Sequence, residues 1–168
     1  MNLLPESDSQ SDIDAAALLA ASRIAEESPD PSTKVGALFL SSDNLTVLGA
    51  GHNRFPDGMD HSPERYADRA FKYKHIRHAE IWALRSVISH FAPEDFRHLL
   101  SGSTLYTSFN CCENCARAVA PLGIRRVVFP GLNRRGRSED WLRQWEGDAE
   151  RAVRVFEHHG VEVSRLHV

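Results

Sequence analysis

Two short segments constrain this chain more than anything else in it: His78-Ala79-Glu80 and, further on, Cys112-Glu113-Asn114-Cys115. Together they supply one imidazole, two thiols and a carboxylate. A catalytic zinc takes three protein ligands and keeps a fourth position open. A carboxylate beside the metal that does not ligate it can then move protons. His78, Cys112 and Cys115 are therefore the expected zinc ligands and Glu80 the expected proton carrier. Any fold for this chain must bring the two segments to one point.

Each segment stands where a helix begins, and Cys112 follows a strand. Residues i and i+3 share a helix face, so both sulfurs can reach one ion. The partial positive charge of a helix N-terminus favours thiolate over thiol. Taken alone, Cys-x-x-Cys also suits a redox pair or half of a structural zinc site. A structural site wants a fourth ligand, for which Cys111 and His75 are the candidates. His52, His61, His90, His98 and His167 stand at no metal-binding spacing and read as surface or satisfied histidines.

Along the chain, Asp12 or Asp14 can cap a helix running to about residue 28, which Pro29 and Pro31 end. Residues 35–40 and 45–50 form two strands around the turn Ser41-Ser42-Asp43-Asn44, a hairpin. Residues 51–63 make a long loop with Gly51, Pro56, Gly58 and Pro63. Helices are expected over 63–74, 78–91, 112–120 and 146–159, and strands over 104–108, 125–129 and 161–166. Pro130 to Ser138 is a loop holding Arg134, Arg135 and Arg137, which could steer anions. A hairpin followed by strand–helix alternation predicts an α/β fold, a mixed five-stranded sheet with helices on both faces.

All three cysteines lie between residues 111 and 115. An odd, tight cluster argues against a disulfide framework and for a reducing compartment, so the cytoplasm is expected. Residues 1–11 read as a polar tail, with Glu6 and Asp8 and no greasy core, and 12–168 as one zinc-dependent domain. No apolar run has the length of a membrane span. A net charge of −3, with no aromatic-basic stripe, gives little to hold a polynucleotide.

The chain resembles the cytidine/deoxycytidylate deaminase superfamily, and most closely its deoxycytidylate (dCMP) branch. The resemblance runs from about Asp30 to Val163. Asp30-Pro31-Ser32-Thr33-Lys34-Val35-Gly36-Ala37 is similar to the branch's opening motif, and Gly51-His52-Asn53-Arg54-Phe55-Pro56-Asp57-Gly58 to its substrate-loop motif. His78-Ala79-Glu80 matches the metal and base motif. Cys112 to Ala116, followed by Gly123-Ile124, matches the second metal motif.

The resemblance implies a three-layer α/β/α sandwich (cytidine deaminase-like), zinc as cofactor and hydrolytic deamination, often in a homo-oligomer. It implies conversion of dCMP to dUMP with release of ammonia. The alternatives are a deaminase of another cytosine- or purine-type nucleotide, nucleoside or base, and a non-catalytic zinc-stabilised binding module. It points to Asn53 as a contact to sugar or base. Arg54, Arg65, Arg69, Lys72 and Lys74 lie in the segment before His78, and one or two of them should touch a phosphate; Arg54 and Lys74 are the expected contacts. Phe109 could stack on a pyrimidine, and Thr33 and Lys34 could line the pocket. The chain departs from the family pattern at two places: Cys111 stands where proline is usual, and Arg54 where glycine follows the asparagine.

Overall fold

The computed structural model describes residues 9–92, 95–131 and 138–166. The expected arginine-rich loop, with Arg134, Arg135 and Arg137, falls outside them, as do His167 and residues 1–8 of the expected tail.

The first helix, α1 (Gln10–Glu26), starts inside the segment read as a tail. Its cap is Ser9 rather than Asp12 or Asp14: the Ser9 side chain accepts from the Asp12 N–H, and Asp12 bonds back to Ser9. That reciprocal pair satisfies two otherwise orphaned donors. A hairpin follows, β1 (Gly36–Leu40) and β2 (Val47–His52), with a register shift between Phe39 and Leu40; β2 starts and ends two residues later than expected.

The segment expected as one helix over 63–74 is two, α2 (Pro63–Ala67) and α3 (Arg69–His75). Asp68 breaks them apart. Its backbone is extended, and its carboxylate accepts from the Phe71 N–H at 3.0 Å, capping α3 instead of continuing α2. Then come α4 (Ala79–His90), α5 (Phe96–Leu100), β3 (Thr104–Thr107), α6 (Glu113–Val119), β4 (Arg126–Pro130), α7 (Glu139–His158) and β5 (Glu162–Leu166).

The sheet order is β2-β1-β3-β4-β5, antiparallel through β2, β1 and β3 and parallel through β3, β4 and β5. This is the mixed five-stranded sheet expected. Alternation along the strands divides the core. Leu38, Leu40, Tyr106 and Val128 face α1 through Leu18 and Ala21. Phe39, Leu105, Val127 and Phe129 face the other way, toward Ala83 and Val87 of α4, Val119 of α6 and Phe156 of α7. Helices thus cover both faces, completing the α/β/α sandwich.

Two glycines set the spacing on the second face. A Cβ on Gly51 would lie 2.5 Å from the Trp82 Cβ, and one on Gly49 would lie 2.6 Å from a Val87 methyl carbon. Their absence lets α4 lie directly against β2.

Candidate active site

The two motifs meet as expected. His78 is the N-cap residue of α4, and Cys112 that of α6, each in extended backbone just before its helix. Cys115 is one turn into α6 and Glu80 is in the first turn of α4. The loop between β2 and α2 helps fix His78. Arg54 and Arg77 exchange backbone hydrogen bonds of 3.1 and 2.9 Å, pinning the residue before His78. The Trp82 indole N–H adds a bond of 3.3 Å to the Arg54 carbonyl. The same loop is held by Phe55, stacked on Tyr66 with ring centroids 4.2 Å apart.

The His78 Nδ1 lies 3.2 Å from the Cys112 Sγ and 3.5 Å from the Cys115 Sγ, and the three ligand atoms all fall within 4.8 Å of one another. Tetrahedral zinc with ordinary Zn–N and Zn–S bond lengths holds such ligands about 3.5 Å apart. The donor set and the spacing therefore both fit zinc. Without a metal, the imidazole and the thiols share protons instead. Hydrogen bonding to Cys112 pushes the His78 imidazole up to about 9, against burial. Hydrogen bonding from Cys115 brings the Cys112 thiol down to about 4, with burial opposing and His78 assisting. The Cys115 thiol is held well above its ordinary value by hydrogen bonds to Cys111 and Cys112 and by burial.

Glu80 is 2 % exposed. Burial pushes its carboxyl up from the ordinary value, and the charge on His78 opposes this. Cys111 is buried beside it, not a fourth member of the ligand cluster; burial pushes its thiol up to about 12.

His78, Glu80 and Cys112 form the floor of a cavity of about 450 Å³. Phe109 and Asn53 line it, as does Thr33. Asn53 is 4 % exposed and heavily committed: its Oδ1 accepts from the Val35 N–H at 2.8 Å, and its Nδ2 donates to the Thr33 carbonyl at 2.8 Å. Phe109 meets Trp145 edge-on, with centroids 5.4 Å apart.

Arg54 and Lys74 do not line this cavity, contrary to expectation. Successive residues leaving β2 point to opposite sides, so Asn53 and Phe55 turn inward while Arg54 turns out. Its guanidinium bonds Asp57 and lies 3.8 Å from the Trp82 ring centroid, beside a separate cavity. A bulky cation in the usual glycine's place therefore leaves the main cavity clear. Lys74 is exposed on α3. Lys34 caps α1 from outside, donating to the carbonyls of Glu26 and Ser28 at 3.0 and 2.6 Å.

Sequence reasoning assigned no role to Asp30, Ser32, Tyr73 or Trp145, all of which line the cavity. The Asp30 carboxylate accepts from the N–H groups of Ser32 and Thr33 at 2.9 and 3.3 Å. An Asp-Pro-Ser-Thr run is an Asx-turn signal that could have revealed this corner.

An α/β/α sandwich that gathers one imidazole and two thiols at two helix starts, with a buried carboxylate alongside, defines a zinc-dependent hydrolase of the deaminase class. Residues 11–130 match the family described as the cytidine and deoxycytidylate deaminase zinc-binding region, and the chain belongs to that family. It is 31% identical over 139 residues to an uncharacterized deaminase from the luxG 3′ region of Aliivibrio fischeri, covering 83% of each chain. Human deoxycytidylate deaminase is 32% identical over 110 residues, which make up 62% of this chain and 57% of that one. The chain thus spans little more than half the length of that relative. The crystal structure of a cyanophage S-TIM5 dCMP deaminase in complex with dCMP and dUMP shares the fold, with a TM-score of 0.66 at 21% identity over 94% of this chain and 99% of that one.

Proposed function

We propose that this protein deaminates dCMP to dUMP, releasing ammonia. The observation that carries the reading is the convergence of His78, Cys112 and Cys115 on one point beside a cavity that His78, Cys112 and buried Glu80 line. The 32% identity to human deoxycytidylate deaminase supports the choice of nucleotide.

His78 Nδ1 and the sulfurs of Cys112 and Cys115 are the groups that would hold the zinc. When bound, the metal supplies Lewis acidity that makes water a nucleophile near neutral pH. The Glu80 carboxylate takes a proton from the attacking water and passes it to N3 of the pyrimidine. Water oxygen adds at C4. Glu80 then carries the remaining hydroxyl proton to the amine, which departs as ammonia while the C4 carbonyl forms. One carboxyl must alternate between acid and base, and burial serves this by bringing the protonated form of Glu80 within reach.

Phe109, backed by Trp145, offers the pyrimidine an aromatic wall. Asn53 holds the Thr33–Val35 backbone, and its Oδ1 keeps one lone pair to accept from the sugar. Three free thiols in one cluster support a reducing, cytoplasmic setting. Among the described residues no helix is long and apolar enough to cross a membrane. Assembly as a homo-oligomer rests on the family resemblance.

The test is ammonia release by the zinc-loaded protein from dCMP, deoxycytidine, cytosine and guanine. The highest kcat/KM is expected for dCMP. A preference for a nucleoside or a free base would overturn the assignment.

A further inference from the structure

We infer that Arg69 reads the 5′-phosphate of the substrate, an assignment that rests on the nucleotide reading above. Six cations stand between residue 53 and His78, and the structure sorts them. Arg77 is exposed, donates to the His75 carbonyl at 3.4 Å and does not line the cavity. Arg54 bonds Asp57 and lies over Trp82, outside the cavity. Arg65 lies 3.7 Å from Asp60 and over the Phe71 ring. Lys74 is exposed and does not line the cavity. Lys72 does line it, but its Nζ lies 2.6 Å from the Asp30 carboxylate and donates to the Ser32 hydroxyl at 2.7 Å, so its charge is already matched.

Arg69 remains. It lines the cavity, is exposed, and has no carboxylate partner among the described residues. One of its donors goes to the Tyr73 hydroxyl at 3.1 Å; the guanidinium has five.

The cavity's charges leave the same answer. Its wall carries two carboxylates, Asp30 and Glu80. Asp30 is matched by Lys72, and Glu80 lies at the floor near His78. Exposure rises from the floor to the mouth, from Glu80 at 2 % to Tyr73 at 59 %. A nucleotide that places its amino-bearing ring at the floor leaves its phosphate at the mouth, where Arg69 stands. A guanidinium can take a phosphate through two parallel N–H bonds, whereas an ammonium acts as a point charge. Tyr73, which accepts from Arg69, still has its own O–H to donate to the same dianion.

The test compares dCMP with deoxycytidine as substrates and dUMP with deoxyuridine as ligands, the latter by calorimetry, on zinc-loaded wild-type protein, Arg69→Gln and Arg69→Lys. Zinc content and far-ultraviolet circular dichroism establish that each variant is folded. Arg69→Gln is expected to lower the ratio of kcat/KM for dCMP over deoxycytidine by at least about tenfold, and to narrow the affinity gap between dUMP and deoxyuridine to match. Arg69→Lys should keep part of both. A wild-type preference for dCMP that survives intact in Arg69→Gln overturns the assignment and leaves the nucleotide reading standing. Equal losses for the phosphorylated and unphosphorylated compounds overturn it as well, since they mark a role in folding alone. A wild-type protein indifferent to the phosphate overturns both.

Discussion

Lys72 Nζ lies 2.6 Å from Asp30 Oδ2, with Lys72 8 % exposed and Asp30 fully buried. The pair ties α3 to the corner that precedes β1 and so fixes one wall of the cavity. Breaking a buried ion pair from one side strands the other charge, at about 3–5 kcal/mol. Lys72→Met should lower unfolding stability by about that amount. Lys72→Met combined with Asp30→Asn should recover part of the loss, a coupling that urea denaturation of all four proteins would measure.

Replacement of Glu80 by Gln keeps the shape of the cavity floor and removes the proton carrier. Turnover of dCMP should fall by about 10²–10⁴-fold, the usual span of acid–base catalysis. Zinc content, read by atomic emission, should stay at the wild-type level. Retained turnover would reject Glu80 in this role, and lost zinc would make it structural.

Zinc uptake should release protons. At neutral pH the metal-free site holds a proton on His78, pushed up to about 9, and one on Cys115, held well above its ordinary value. Cys112, brought down to about 4, is already a thiolate. Ligation needs a neutral imidazole and two thiolates, so about two protons leave the ligands near neutral pH. Apparent zinc affinity should therefore climb steeply with pH and less steeply above about pH 9, as competition with a metal-sensitive dye would record.

Thiol alkylation should follow the same order. In metal-free protein at neutral pH, Cys112 should react with iodoacetamide ahead of Cys111 and Cys115, because it is the thiolate of the three. Zinc should protect it. Peptide mapping by mass spectrometry after timed labelling separates the three sites.

On the opposite face of the sheet, Asp14 joins α1 to two strands. It accepts from the Tyr106 hydroxyl at 2.6 Å and from both terminal nitrogens of Arg126, at 3.2 and 3.0 Å. Burial pushes its carboxyl up, but these bonds, one from Gln10 and the Arg126 charge outweigh it and hold the group below its ordinary value. A depressed folded value stabilises the protein above the unfolded value, and the gain fades as pH falls through the folded one. The destabilisation by Asp14→Asn should accordingly be greatest near neutral pH and shrink in acid, in denaturant titrations run across that range.

The metal site was the most legible part of the sequence because each ligand sits at or just inside a helix start, where spacing alone fixes direction. The sheet was nearly as legible: β1 and β4 are short runs rich in apolar residues and buried almost throughout. The helix break at Asp68 was hidden because Arg65, Tyr66 and Phe71 sustain a helical pattern across it, while one side-chain hydrogen bond decides the matter. Helix α7 begins seven residues before the expected start (Glu139 rather than Glu146). Among its described residues the buried ones come late, at Ala149, Ala152 and Phe156, while its first turns stay exposed or half-buried and include the Arg143–Asp140 pair. The outward turn of Arg54 was readable in principle from strand alternation. The Lys72–Asp30 pair was not, because its partners are far apart in the chain and no pattern links them.

The missing side chains at residues 49 and 51 act as a gauge. They decide how far the helix bearing Glu80 stands off the sheet, while both sulfurs hang from a different joint, after β3. A single methyl group at either position would slide the acid and His78 past the two sulfurs without touching any reactive atom. The tolerance of this chemistry is thus kept by two places where the chain has nothing at all, and a search for reactive groups would pass over both.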